Sequence, residues 1–107
     1  MRLRIPSASL LGVAALIVSA AASAETIKVT IKDLEFTPAT VVAHVGDVIQ
    51  WTNGDAFDHT ATGKNGEFDV MIPANRIASV TVTNAGRIDY YCIFHPNMVG
   101  TVIVTAK

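Results

Sequence analysis

The sequence contains one cysteine among 107 residues, and only 16% of its residues are charged. A lone cysteine excludes an internal disulfide, which is the usual staple of small secreted domains. The basic residues form no cluster or amphipathic stretch, and this argues against nucleic acids and lipid surfaces as partners. The only long apolar run lies close to the start of the chain.

That start has the pattern of a secretory signal peptide. Arg2 and Arg4 precede an apolar run from Leu10 to Ala22, and Ala22-Ser23-Ala24 is a small-x-small cleavage site. The run is short for a membrane span, so a retained N-terminal anchor is the weaker alternative. We expect residues 1–24 to be a signal peptide that is removed on export to the periplasm.

The remaining residues, 25–107, have room for one domain only. Loss of Arg2 and Arg4 lowers the basic count from 8 to 6 against 9 acidic residues, which gives a net charge of −3. A mildly acidic domain is a poor nucleic-acid binder. An unpaired thiol such as that of Cys92 is a liability in an oxidising compartment. Cys92 is therefore expected to form an intermolecular disulfide, to act in catalysis or to bind a metal.

Alternating apolar and polar residues predict an all-β domain. Ile27, Val29 and Ile31 share one strand face, and a period of two marks a half-buried strand. No segment after residue 24 has a convincing helical period. We therefore predict a Greek-key β-sandwich of about seven to eight strands, with Trp51 in its core. The predicted strands cover 26–32, 40–45, 48–53, 59–62, 78–83, 88–92 and 99–105.

One segment carries metal-binding chemistry. Cys92, His95 and Met98 stand three residues apart, between two predicted strands. A tight loop there can aim a thiolate, an imidazole and a thioether at one centre, and this soft to borderline donor set suits copper. Closed zinc sites more often use four cysteine or histidine ligands, and calcium and magnesium need oxygen ligands.

Such a copper site needs a second imidazole. Only His44 and His59 remain as candidates after residue 24. By strand alternation His44 faces away from Val41 and Ala43, towards solvent. His59 lies beside an irregular loop that can aim a side chain, and we assign it as a ligand.

These residues, in their order and spacing, resemble the cupredoxins, the small blue copper proteins, across residues 25–107. The short Cys-x-x-His-x-x-Met spacing is most similar to the amicyanin branch. The resemblance implies one type 1 copper ion in a protein that transfers electrons and is not an enzyme. It implies a near-trigonal site with Met98 as the long axial ligand. The residues that carry the resemblance are Phe36-Thr37-Pro38, Val45-Gly46-Asp47, Trp51-Thr52-Asn53, His59, Cys92, His95 and Met98.

The sequence departs from that family at three positions. Thr60 stands where many members have an asparagine that ties the two ligand loops together, and its hydroxyl has less reach. Phe94 replaces the proline that amicyanins tend to have before the loop histidine. Ile88 replaces an aromatic residue, which is a change of packing only.

The resemblance also implies how electrons enter and leave. One edge of His95 is expected in an exposed apolar patch, where a redox partner such as a c-type cytochrome or a periplasmic amine dehydrogenase would dock on the monomer. If His95 is protonated and leaves Cu(I), the reduction potential rises as the pH falls. The candidate patch residues are Phe57, Phe94, Pro96 and Met98, with Met71 and Pro73.

Further alternatives stay open at this point. A copper carrier that delivers metal to an oxidase or a resistance system is the main rival to an electron shuttle. A Cys92–His95 nucleophilic pair is the weaker rival, since catalytic pairs of this kind usually lie far apart in sequence. Four acidic residues are expected to be solvated loop charges: Asp55, Asp58, Glu67 and Asp69.

Overall fold

The computed structural model describes residues 23–106, so most of the predicted signal peptide, residues 1–22, lies outside the described residues. The described part contains nine strands in two sheets, which confirms the all-β prediction and exceeds the expected count. In these residues no helix has the length and apolar character needed to cross a membrane. The strands are β1 Thr26–Lys32, β2 Glu35–Thr37, β3 Thr40–His44, β4 Val48–Asn53, β5 His59–Gly63, β6 Asp69–Ile72, β7 Ile77–Thr81, β8 Gly86–Cys92 and β9 His95–Thr105.

The two strands that the sequence did not predict are both short. β2 has three residues and β6 has four, so neither offers a long alternating pattern. Both are edge strands, β2 in the four-stranded sheet and β6 in the five-stranded sheet. Pairing with a longer neighbour therefore defines each of them.

The strand order places segments that are distant in the chain beside one another. One sheet has the order β2-β1-β4-β7 and the other has the order β3-β9-β8-β5-β6. Only the pairs β1–β4 and β3–β9 are parallel, and the other pairs are antiparallel. As a result β5 lies beside β8, although 22 residues, 64–85, separate them in the chain.

The core fills the space between the sheets and is organised around Trp51. Its side chain is fully buried, as expected, and its Nε1 atom donates a hydrogen bond of 3.2 Å to the hydroxyl of Tyr90. The rings of Phe36 and Phe68 pack against Tyr90. Gly100 lies opposite Tyr90 in the β8–β9 ladder, and a Cβ atom there would overlap the tyrosine ring.

The β8–β9 hairpin corrects one expectation. The sequence suggested an interruption at residues 95–97, but β9 begins at His95. Cys92 pairs directly with His95, next to an irregularity in register at Tyr91 and Cys92. The turn between the two strands therefore consists only of Ile93 and Phe94, and this brings Cys92 and His95 side by side.

Candidate metal centre

Three side chains with metal-ligating atoms meet at one end of the five-stranded sheet. The ligand atoms of His59, Cys92 and His95 all lie within 4.8 Å of one another, and no other such group of histidine, cysteine and carboxylate side chains occurs in residues 23–106. The Sγ atom of Cys92 is 3.7 Å from Nδ1 of His59 and 3.8 Å from Nδ1 of His95. His59 and Cys92 are fully buried, whereas His95 is half-buried.

The strand order explains why these residues meet. His59 is the first residue of β5, Cys92 is the last of β8, and His95 is the first of β9. Since β5 and β9 flank β8 and both run antiparallel to it, all three positions fall at the same end of the sheet. The hairpin supplies two donors locally, and the β5–β8 pairing supplies the third.

The spacing of these atoms fits a metal ion. A first-row ion with bonds of about 2.0 Å to nitrogen and about 2.3 Å to sulfur, in a trigonal arrangement, separates the two atoms by about 3.7 Å. The two nitrogen–sulfur distances in the structure, 3.7 and 3.8 Å, agree with this value. One thiolate with two imidazoles in a trigonal site is the donor set of blue copper.

Met98 lies three residues into β9 from His95 and is only 3% exposed. Its burial excludes it from the exposed apolar patch that the sequence suggested. Its neighbours Asn97 and Val99 are both exposed, so Met98 is the residue of this segment that points into the protein.

Asp55 was expected to be a solvated loop charge, and this expectation was wrong. It is 5% exposed, and its Oδ2 atom lies 2.8 Å from Nε2 of His59. Burial opposes its charge, but hydrogen bonds from the amide of Leu34, the imidazole of His59 and the amide of Asp33 hold the pKa of Asp55 below its usual value. The carboxylate therefore accepts, Nε2 of His59 carries the proton, and the Nδ1 lone pair is directed at Cys92.

Asn53 shapes the loop that carries His59. Its Nδ2 atom donates to the carbonyl oxygens of Phe57, Ile72 and Pro73 at 2.8, 3.0 and 3.2 Å. Its Oδ1 atom accepts a hydrogen bond of 2.9 Å from the amide of Asp55. The sequence identified Asn53 only as the end of a strand and as part of the Trp51-Thr52-Asn53 segment that carries the resemblance. A spacing of four residues between Asp55 and His59 was the one local hint of their pairing, and it is a weak one.

Thr60 connects the two segments that carry ligands. Its amide lies 3.4 Å from Sγ of Cys92 and donates to it, and its Oγ1 atom accepts a hydrogen bond of 2.9 Å from the amide of Ile93. The threonine thus makes the cross-link that the resemblance assigned to an asparagine. The two bonds hold β5 against the end of β8 and the turn that follows it.

The surface around His95 is apolar and partly aromatic. Phe57 packs against both imidazoles, with its ring centroid 6.1 Å from that of His59 and 6.2 Å from that of His95. Phe57 and Phe94 are 54% and 51% exposed, so neither is a core residue. Four further residues at or near this end of the sandwich are exposed: Met71, Pro73, Ile93 and Pro96. His44, in contrast, is exposed at the end of β3 and lies outside the cluster.

A β-sandwich that holds a thiolate and two imidazoles at the end of one sheet defines the class of type 1 copper proteins. The protein-family model of the cupredoxin-like domain matches residues 7–104 of this chain. The chain belongs to the cupredoxin-like family, and its cofactor is one type 1 copper ion.

Its relatives include amicyanins. It is 35% identical over 89 residues to amicyanin-alpha of Methylorubrum extorquens, covering 78% of this chain and 75% of that protein. It is 29% identical over 87 residues to amicyanin of Paracoccus versutus, covering 76% of this chain and 66% of that protein. The chain thus spans about two thirds to three quarters of these relatives.

A solved amicyanin structure is similar to this chain in sequence and in fold. The reduced Cu(I) form at pH 4 of a proline-to-glycine mutant of amicyanin is 33% identical to this chain, with a TM-score of 0.64. The match covers 80% of this chain and 86% of that structure. The fold and the family therefore agree with the geometry of the site.

Proposed function

We propose that this protein is a periplasmic electron shuttle in which one copper ion cycles between Cu(I) and Cu(II). The observation that carries the proposal is the convergence of Cys92 Sγ with the Nδ1 atoms of His59 and His95 at 3.7 and 3.8 Å. These three atoms would hold the ion, and the buried Met98 would supply a thioether as a further ligand. The amicyanin relatives support the same assignment.

The chain's own residues would keep the site nearly unchanged between the two redox states. Bound copper supplies the one-electron chemistry. Asp55 fixes the ring of His59, and Thr60 holds Cys92 through its amide. Burial of His59 and Cys92 excludes water from two of the donors. Because these contacts hold the side chains of His59 and Cys92 in place, the site would reorganise little when an electron arrives.

Electrons would pass through the half-buried His95. Its ring contacts the exposed Phe57, and Phe94 precedes it in the turn. An exposed apolar surface of this kind suits a docking partner. We propose a c-type cytochrome or a periplasmic dehydrogenase, with an amine dehydrogenase as one candidate. Residues 1–24 would direct export and then be cleaved, which would leave the single domain of residues 25–107.

The small number of methionines favours an electron shuttle over a copper carrier. Beyond the predicted signal peptide the sequence has only two methionines, Met71 and Met98, and delivery sites are usually rich in methionine. Burial of Cys92 also disfavours a thiol nucleophile, because a substrate would have to reach the sulfur.

The decisive experiment is a visible spectrum of the copper-loaded protein combined with a redox titration. We expect one copper per chain, an intense blue colour from thiolate-to-Cu(II) charge transfer, and reversible cycling with the metal retained. Cys92→Ala should lose the colour, whereas His44→Ala, which changes an exposed histidine outside the cluster, should keep it. A colourless Cu(II)-loaded protein would contradict the proposal, and loss of copper on reduction would favour the carrier.

A further inference from the structure

A chain of hydrogen bonds runs from the turn after Cys92 to an exposed carboxylate. The amide of Ile93 donates to Oγ1 of Thr60 at 2.9 Å. Oγ1 of Thr60 lies 2.9 Å from Oγ1 of Thr62, and Thr62 donates to Oδ1 of Asp69 at 2.9 Å. These side-chain hydrogen bonds of Thr62 and Asp69 are to each other and to Thr60, and none of them is to a proposed ligand.

The fold aligns these residues in a row. Thr60 and Thr62 are two residues apart on β5, so their side chains lie on the same face. Thr62 pairs directly with Asp69 across the β5–β6 ladder. Asp69 is exposed, Thr62 is half-buried, and Thr60 is 3% exposed, so the chain passes from solvent to the buried edge of the site.

The chemistry of the groups orders the protons. A carboxylate accepts only, so the single hydroxyl proton of Thr62 is directed at Asp69. Thr60 must then be the donor in its bond to Thr62, and its oxygen accepts from the amide of Ile93. Each hydroxyl both donates and accepts, and a series of bonds with this order polarises towards the charge at its end.

We propose that Asp69 is a positioning residue for the copper centre, acting through Thr62 on Thr60. This inference rests on the proposed function. The carboxylate fixes the orientation of the Thr60 hydroxyl and thereby the bond to Ile93 that closes the ligand turn. Thr60 also donates its amide to Cys92 Sγ, so the position of this residue affects the thiolate directly.

Two variants separate the two contributions of Asp69. Asp69→Asn removes the charge but keeps an oxygen that can accept from Thr62. A negative charge opposes the addition of an electron, so we expect the reduction potential to rise. Thr62→Val removes the hydroxyl at nearly constant shape. We expect it to shift the thiolate-to-copper band and to raise the potential, and Thr62→Ser should restore both.

Coupling between the positions tests the relay itself. Asp69→Asn should raise the potential more in the wild-type background than in the Thr62→Val background, because Thr62→Val already disconnects the carboxylate. In the copper-free protein, Thr62→Val should make amide hydrogen exchange at Ile93 about fivefold to tenfold faster, the change expected from one lost hydrogen bond.

Asp89→Asn is the matched control. Asp89 accepts a hydrogen bond of 2.9 Å from Oγ1 of Thr101 and lies on the strand that carries Cys92. The hydrogen bonds of its carboxylate, from Thr101 and Arg87, do not lead to the ligand turn. We expect Asp89→Asn to leave the charge-transfer band unchanged and to shift the potential less than Asp69→Asn.

The outcomes distinguish this inference from the proposed function. If the wild type is blue and cycles but Thr62→Val keeps its spectrum, its potential and its exchange rate at Ile93, the inference is overturned and the function stands. Equal shifts in the reduction potential for Asp69→Asn and Asp89→Asn overturn it as well. They would indicate that each charge acts on the site through space and not through the hydrogen-bond chain. If the wild type is not blue, the proposed function fails, and the exchange rate at Ile93 still decides whether the hydrogen-bond chain orders the turn.

Discussion

The Nε2 atom of His59 lies 2.8 Å from Oδ2 of Asp55, and both side chains are buried. Asp55 also accepts hydrogen bonds from the amides of Asp33 and Leu34, at 2.8 and 3.1 Å. Asp33 and Leu34 have positive φ angles of 51° and 63°, as in the tight turns that connect hairpin strands. One carboxylate therefore holds a proposed ligand of the five-stranded sheet against the β1–β2 turn of the other sheet.

Asp55→Asn should weaken copper binding. The amide presents a neutral oxygen to His59 and lowers the basicity of the ring, and loss of such a partner typically costs about 10-fold to 100-fold in metal affinity. Competition against a chelator of known affinity measures the change. Asp58→Asn is the control on the same loop, since Asp58 is exposed and accepts the amide of Ala74. Equal affinities for the two variants would contradict the role of Asp55.

Asp55 should also contribute to acid unfolding of the copper-free protein. Its pKa is lowered in the folded state, against burial, by the hydrogen bonds from Leu34, His59 and Asp33. A depressed pKa in the folded state gives stability that is present above the pKa of 3.8 in the unfolded chain and is lost as the pH falls through the folded-state pKa. Urea unfolding between about pH 5 and about pH 2 should show a steeper loss for the wild type than for Asp55→Asn. Parallel curves would exclude this contribution.

Tyr90→Phe should destabilise the core. The change leaves the buried Nε1 of Trp51 without its acceptor, which costs about 1–3 kcal/mol in the free energy of unfolding. Tyr91→Phe, at a half-buried position on the opposite face of β8, should cost much less. Chemical denaturation compares the two variants, and a smaller effect of Tyr90→Phe would refute the prediction.

Tyr90 also makes the stability depend on alkaline pH. Burial raises its pKa from 10.0 to about 12, although the hydrogen bond from Trp51 opposes the shift. The unfolded chain loses this proton above pH 10 while the folded protein keeps it, so stability falls as the pH rises from 10 towards 12. The free energy of unfolding of Tyr90→Phe should fall less over this range. An equal fall in the wild type and the variant would show that other groups dominate.

Gly100→Ala should disturb the same tyrosine. A methyl group at Gly100 would overlap the ring of Tyr90, and overpacking of this kind costs about 1–3 kcal/mol. Val99→Ala, one residue earlier at an exposed position, should stay within about 0.5 kcal/mol of the wild type. Thermal or chemical unfolding measures both variants. A Gly100→Ala protein as stable as the wild type would mean that the ring moves without cost.

Phe57→Ala and Phe94→Ala should slow electron transfer to a partner. Both aromatic rings are exposed at the end of the sandwich that holds His95, and truncation removes apolar contact area from the proposed docking surface. Stopped-flow mixing with a c-type cytochrome should show a lower second-order rate constant for each variant. Val42→Ala, an exposed position on β3, is the control. If all three variants react at the wild-type rate, docking does not use this surface.

Much of the sandwich could be predicted because strand alternation is a local pattern. Val29 and Ile31 were assigned to one strand face, and both are fully buried. The same pattern failed at β6, where four residues form an edge strand that only its pairing with β5 defines. It also failed at the start of β9. The predicted strands ended at residue 92 and resumed at residue 99, but Cys92 pairs with His95 across a two-residue turn, so the second strand begins earlier.

The type of metal chemistry can be predicted from the amino-acid sequence: a lone cysteine with a histidine and a methionine at three-residue spacing, within an alternating all-β chain. The residues that surround these side chains became visible only in the folded protein. Asp55 changed from an expected surface charge to a buried partner of His59, and Thr60, Thr62 and Asp69 became a connected row. The physical reason is that donor identity and periodicity are local properties, whereas contacts between β5, β8 and the β1–β2 turn depend on the order of strands in two sheets.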